Sequence, residues 1–258
     1  MSVRDTARKA GNSRVVEYGA RVGYGASGVL HLLLAWLSLR LAWGSYGGEA
    51  DQSGAFQALS TNPVGVAVLG VLGAGFVLLG LWNLTEAALV RGDVGRVVKH
   101  VAKGLTYGVL AWGAIQVVMG THSSSAKQSK DLTSSLMGSV AGDVLVVVVG
   151  LVVVVIGGYH IYKGIASKYR EDLVESLDRP IEVVATFGYV AKGIALMVIG
   201  ALFLAAVATH DPSKASGMDG ALRTLLKLPL GTFLLSLIAL GLVAYAIYSF
   251  ARAKYARV

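Results

Sequence analysis

The sequence predicts an all-α integral membrane protein: six transmembrane helices as three tandem two-helix repeats around a pseudo-threefold axis, with short interfacial helices on the outer side. Three observations predict it. Apolar residues come in six blocks long enough to cross a bilayer, which takes about 20 residues per helix. Lysine and arginine gather at alternate ends of those blocks, and one pattern of glycine, alanine and proline recurs at a fixed spacing. Of 258 residues, 55% are hydrophobic and only 15% charged, with mean hydropathy +0.64, whereas about a quarter of a soluble domain is charged.

The elements follow in order. Residues 1–16 form a basic tail with Arg4, Arg8, Lys9 and Arg14. A basic start before an apolar block is also the plan of a signal peptide. The block at 22–44 is longer than the roughly 7 to 15 residues of such a segment and reads as an uncleaved first span. Repeat 1 covers 17–90, with spans at 22–44 and 65–90. Repeat 2 covers 91–169, with spans at 104–120 and 143–164. Repeat 3 covers 170–258: a linker, spans at 188–208 and 232–251, and a basic C-terminal tail. No run alternates polar and apolar residues as a β-barrel strand does, so helices are left to satisfy the backbone hydrogen bonds in lipid.

Most of the 23 lysines and arginines lie in the two tails and in the connections that follow even-numbered spans. Basic residues concentrate on the cytoplasmic side, which predicts a multi-pass protein of the cell membrane with both termini cytoplasmic. The net charge of +8 is then an orientation signal, with no nucleic-acid partner implied. The basic inner face is expected to favour anionic lipids.

The repeat is carried by named residues. Gly28, Gly104 and Gly193 stand in the contexts ASG, AKG and AKG, each opening an odd-numbered span, and VAKG itself occurs twice. GAFQALSTNPVG, ending at Gly65, matches GALRTLLKLPLG, ending at Gly231; the middle copy, DLTSSLMGSVAG, keeps Leu136 and Gly142. The intervals Gly28–Gly65, Gly104–Gly142 and Gly193–Gly231 agree to within one residue. A tandem repeat of one two-helix unit follows, with all copies in one orientation. Between the spans of a unit, Ala221, Leu222, Leu225 and Leu226 have helical spacing and Pro229 stops the turn, predicting a short outer helix in each copy.

These residues resemble domain of unknown function 1206, a group of bacterial, largely actinobacterial, membrane proteins built from three such units. The resemblance runs from about Glu17 to Tyr255. It implies the fold and no activity, since the family has none assigned. Ser27 stands where the other copies have Lys103 and Lys192, and the middle copy has Asp131 and Ser139 where the others have glycine and proline. A site built from three equivalent lysines is thereby excluded.

Cysteine is absent, which removes disulfides, thiolate nucleophiles and cysteine-held metals. No phosphate loop, nucleophile elbow or zinc-helix motif is present, so no enzyme activity is expected. Gly19/Gly23 and Gly104/Gly108 have the spacing that lets membrane helices approach closely, read as packing within one chain.

Polar groups within spans are costly and therefore informative. His31 and Asn83 lie at similar depths and are expected to hydrogen-bond across the first hairpin. His160 lies near the depth of His31, and two histidines on separate helices can ligate a haem iron; this is the least favoured reading, and no other cofactor or metal is expected. Arg40 is expected to reach the outer headgroups, Gln116 to make a packing hydrogen bond, and His122 and His210 to bond at helix ends. SKYREDLVESLDRP, from Ser167 to Pro180, reads as a short surface helix or membrane-lying linker. Glu86 is the acid deep in an apolar stretch. It is expected to pair with Lys103, Lys192 or Lys163 in a polar cluster toward the inner leaflet, as a structural anchor or as a proton or anion site. The first-ranked function is an accessory or scaffolding component with membrane-protein partners; the second is a small-solute or ion transporter or channel using the charged cluster; the third is a haem-bearing electron carrier.

Overall fold

The computed structural model describes residues 14–44, 46–90, 92–121, 124–175 and 178–255. The basic tail up to residue 13 and His122 lie outside the described residues. The described chain is helical, in the order α1 (Arg14–Ala42), α2 (Gln52–Leu59), α3 (Pro63–Leu89), α4 (Val94–Val118), α5 (Ser125–Leu136), α6 (Val140–Ile165), α7 (Arg179–Ala208), α8 (Gly217–Leu226) and α9 (Gly231–Tyr255). Among the described residues six helices, α1, α3, α4, α6, α7 and α9, are long and apolar enough to cross a membrane. Two 3-10 turns, Lys168–Asp172 and Pro212–Lys214, complete the framework.

All three short helices predicted between paired spans are present, as α2, α5 and α8. Asp51 caps α2 by accepting from the Gly54 amide, and Ser124 caps α5 by accepting from the Lys127 amide. The repeated glycine has a steric cause. A Cβ added at Gly65 or Gly142 would lie 1.8 Å from the carbonyl oxygen of Leu59 or Leu136, and one at Gly231 would lie 2.0 Å from that of Leu226. Each returning span thus starts against the last turn of its interfacial helix, at a distance no side chain permits.

The spans form a ring in chain order. α1 packs on α3, α3 on α4, α6 on α7, α7 on α9, and α9 back on α1. The three units follow one another around that ring, so the unit boundaries α3/α4, α6/α7 and α9/α1 are all packed. The α6/α7 boundary is held by glycines. A Cβ at Gly157 would meet the Gly193 carbonyl at 2.7 Å, and one at Gly200 would meet that of Gly150 at 2.7 Å. Gly19 and Gly23 similarly receive Leu78 and Leu79 of α3, whereas Gly108 faces open space. One consecutive pair departs from the pattern: α4 and α6, the two spans of the middle unit, do not pack on each other along their lengths.

An even number of spans puts Arg14 and Tyr255 on one face, here the terminal face, and α2, α5 and α8 on the far face. The far face is laced by the segment before α2. Glu49 accepts from Ser53 and Ser124, the Ser125 amide donates to Ser53, the Ala50 amide donates to Asp219, and Arg223 donates to the Gly48 carbonyl. Asp51 is buried, and burial pushes its carboxyl above the ordinary value against the hydrogen bonds from Ser53 and Gly54. Below this lacing a core of Leu30, Leu34, Leu37, Phe56, Leu69, Phe76, Leu222 and Leu235 fills the far half of the ring.

Candidate functional site

The terminal half of the ring is polar and aromatic, and its charged side chains come from equivalent places in the repeat. Lys103 and Lys192 each precede their unit's opening glycine. Glu86, Lys163 and Arg252 fall at one common distance after Gly65, Gly142 and Gly231. The fold therefore brings five repeat-related charges toward one level of the bundle. A sixth comes from the connection between the second and third units, where Ser167, at φ 52°, turns the chain into the 3-10 segment Lys168–Asp172.

That turn corrects the expectation of a surface helix over Ser167–Pro180. Tyr169 is fully buried, stacked 5.7 Å from Tyr189 and edge-on at 5.6 Å to Tyr248, and its hydroxyl donates to the Glu182 carbonyl. Leu173 is buried beside it, and the Val174 amide donates to the Tyr255 carbonyl. The physical reason is that Tyr169 and Leu173 offer one turn enough apolar surface to leave the interface and plug the bundle end.

The plug delivers Asp172, which forms a 2.5 Å ion pair with Lys163; the two side chains are 16% and 9% exposed. Burial alone would push the Asp172 carboxyl up. The fields of Arg252 and Lys163, with the hydrogen bond from Lys163, outweigh it and hold the carboxyl at about 2.

Glu86 does not pair with Lys103, Lys192 or Lys163: among the described residues it makes no ion pair and no side-chain hydrogen bond. It lies in the last turn of α3 and is part-exposed. Asp172 takes the place expected of it.

Lys192 reaches His31 instead. Its Nζ lies 3.1 Å from His31 Nε2 and 4.0 Å from the centroid of the Tyr245 ring. His31 Nδ1 is 2.7 Å from the Ser27 carbonyl, which only accepts, so Nδ1 carries the proton and Nε2 accepts from Lys192. Both ring nitrogens are engaged, and iron ligation by His31 would have to displace Lys192. His160 stands on α6, its Nδ1 2.9 Å from the Ile156 carbonyl and its ring 5.8 Å from that of Tyr189.

His31 and Asn83 do not meet. Buried Asn83 donates to the Leu79 carbonyl at 2.8 Å and faces His100 Nδ1 of α4 at 3.4 Å. This contact crosses a unit boundary, because α3 packs on α4 as closely as on its own partner. Gln116 makes no side-chain hydrogen bond among the described residues. Arg40 lies over the rings of Trp36 and Tyr46, at 5.1 and 5.2 Å. His210 ends α7 with φ 51°.

Arg252 was legible only as part of a basic tail, yet it turns inward. Its guanidinium lies 4.1 Å over the Tyr24 ring, Nη2 donates to the Tyr24 hydroxyl at 3.0 Å, and Nε is buried with no hydrogen-bond partner. Its signal was its equivalence with Glu86 and Lys163 in the repeat. Lys103 completes the group, part-exposed and within electrostatic range of Arg252, Asp172 and Lys163. Lys103 makes no ion pair or hydrogen bond among the described residues. Among the described residues, four basic side chains, Lys103, Lys163, Lys192 and Arg252, thus gather with one ion-paired acid, Asp172, among the hydroxyls of Tyr24, Tyr189, Tyr245 and Tyr248.

The comparisons with known proteins agree with the repeat. The family model described as Domain of Unknown Function (DUF1206) matches three times, over residues 22–89, 98–167 and 187–256. A curated relative, the Uncharacterized protein YxxB of Bacillus subtilis (strain 168), is 27% identical over 247 residues, covering 91% of this chain and 89% of the relative. No solved structure matches.

Proposed function

We propose, for a chain that belongs to the DUF1206 family, that the terminal half of the ring is an anion-binding site for a phosphate or carboxylate group. The observation that carries the reading is the excess of basic groups among the described residues: Lys163 has Asp172, Lys103 makes no ion pair or hydrogen bond, and Lys192 is held by neutral groups, His31 Nε2 and the Tyr245 ring. An uncompensated ammonium group inside a membrane bundle is costly, and a bound anion relieves that cost. Arg252 Nε is a buried donor without a hydrogen-bond partner in the same half of the bundle, and guanidinium groups favour oxyanions. Such a site belongs to a solute-handling protein more readily than to a passive scaffold. The basic residues of the terminal face support its being cytoplasmic, in the cell membrane.

The test is thermal unfolding of the protein in uncharged detergent with a panel of anions, soluble and lipid-borne. A ligand at a hundredfold its Kd adds roughly 2.7 kcal/mol, a rise of several degrees. At least one anion is expected to give that rise with the natural chain and little with Lys192→Met. If no anion raises Tm, or if Lys192→Met responds like the natural chain, the reading is wrong.

A further inference from the structure

The ring has a single unpacked join, and it opens beside the unpaired cations. α4 and α6 are neighbours in the ring without packing on each other, while every other consecutive pair packs. Lys103 on α4 and His160 on α6 stand on its two sides, part-exposed and within electrostatic reach of each other, and Lys192 lies in reach of His160.

Packing covers parts of the two ends of the bundle. On the far face α5 bridges the join, packing against α8 and the Pro212–Lys214 turn, and the leucine and phenylalanine core lies beneath. At the terminal face Tyr169 and Leu173 occupy the bundle end. The side between α4 and α6 is left without helix packing, and this unpacked side is the window. Toward the far face exposed residues of α4 and α6 are apolar, among them Val109 on one and Val149 and Val152 on the other.

We propose that the ligand is an anionic lipid: a phosphate or carboxylate headgroup that enters sideways between α4 and α6 and settles against Lys103, Lys192 and Arg252, its acyl chains staying in the leaflet on the terminal side. This rests on the anion-site reading and adds the ligand class and its route. A soluble anion gains nothing from a window facing hydrocarbon, whereas a lipid brings headgroup and chains to the two surfaces that match them. Lys103 is the residue whose loss reports most directly on the ligand, because it makes no ion pair or hydrogen bond among the described residues.

The experiment is native mass spectrometry of the full chain released from uncharged detergent. The probes are dioleoyl phosphatidylglycerol, dioleoyl phosphatidylcholine and inorganic phosphate. The natural chain should retain one phosphatidylglycerol in preference to phosphatidylcholine, and inorganic phosphate should not displace it. Lys103→Met should weaken that binding roughly tenfold or more, the loss of one charge-assisted contact, while the folded chain is unharmed. Lys192→Arg, which keeps charge, should retain the lipid. If inorganic phosphate binds and displaces the lipid, the anion site stands and the lipid proposal falls. If neither probe binds better than phosphatidylcholine, or Lys103→Met binds phosphatidylglycerol as the natural chain does, the lipid proposal falls, and the anion panel with Lys192→Met decides the anion site by itself.

Discussion

Replacing Asp172 by asparagine would leave Lys163 charged and buried without its acid, a change that typically costs 3–5 kcal/mol, or about ten degrees in Tm for a chain of this size. The same pair sets the acid response. Because the folded carboxyl sits at about 2, below its ordinary 3.8, its contribution is whole above pH 4. That contribution, about 2 kcal/mol, is lost as pH falls from about 4 to about 2. A Tm-against-pH profile of the natural chain should drop across that window, and the Asp172→Asn profile should be flatter there. Glu86→Gln, by contrast, should leave Tm within about 0.5 kcal/mol of the natural chain, as an exposed substitution does. A larger loss would mean that Glu86 has a partner after all. The lysines of the site were legible because a lysine beside a span's opening glycine stands out against apolar text. Asp172 and Arg252 were not, since each lies among other charges in a connection or a tail, and only the packing of Tyr169 and Tyr248 turns them inward.

At the level of helices, the tightest join is α6 against α7, where glycine backbones touch at Gly157/Gly193 and Gly150/Gly200. A leucine at 157 would drive its side chain into the Gly193 carbonyl. Overpacking of this kind usually costs about 1–3 kcal/mol, and more is expected here because backbone cannot step aside. Thermal unfolding of Gly157→Leu should show that loss, whereas Gly158→Leu, next in sequence and facing open space, should unfold like the natural chain. The existence of every span was readable from apolar runs. Their starts were less so: α4 begins at Val94 and α7 at Arg179, well before the blocks expected at 104 and 188, because helical turns that leave the hydrocarbon carry Arg96, Lys99 and Glu182 and no longer look apolar. The interfacial helices were readable from Pro63, Pro229 and the leucines before them. The openness of the middle hairpin was not: the middle copy differs at Asp131 and Ser139, but those changes lie in the connection and say nothing of how its two spans pack.

For the molecule as a whole, orientation is the property a labelling experiment decides. Gln128 on α5 and Glu175 beyond the plug are both exposed, and the chain has no cysteine of its own. In whole cells, Gln128→Cys should react with an impermeant maleimide and Glu175→Cys should not; the opposite pattern would invert the topology. The ring also joins its parts in two different ways. Between α9 and α1 no peptide bond runs, yet the helices pack closely and Arg21 donates to the Lys254 carbonyl. Between α4 and α6 the helices stand apart, and the chain through α5 is what connects them. Covalent order and packing therefore substitute for each other around the ring, and the join between α9 and α1 is not where the structure is weakest. A circular permutant makes this measurable. Joining the ends near Arg14 and Tyr255 and reopening the chain at Gly92, between the packed α3 and α4, should give a protein that unfolds near the natural temperature. Reopening it at Gly120 instead severs the covalent strap between α4 and α6, the join that has no helix packing to replace it, and that permutant should melt first.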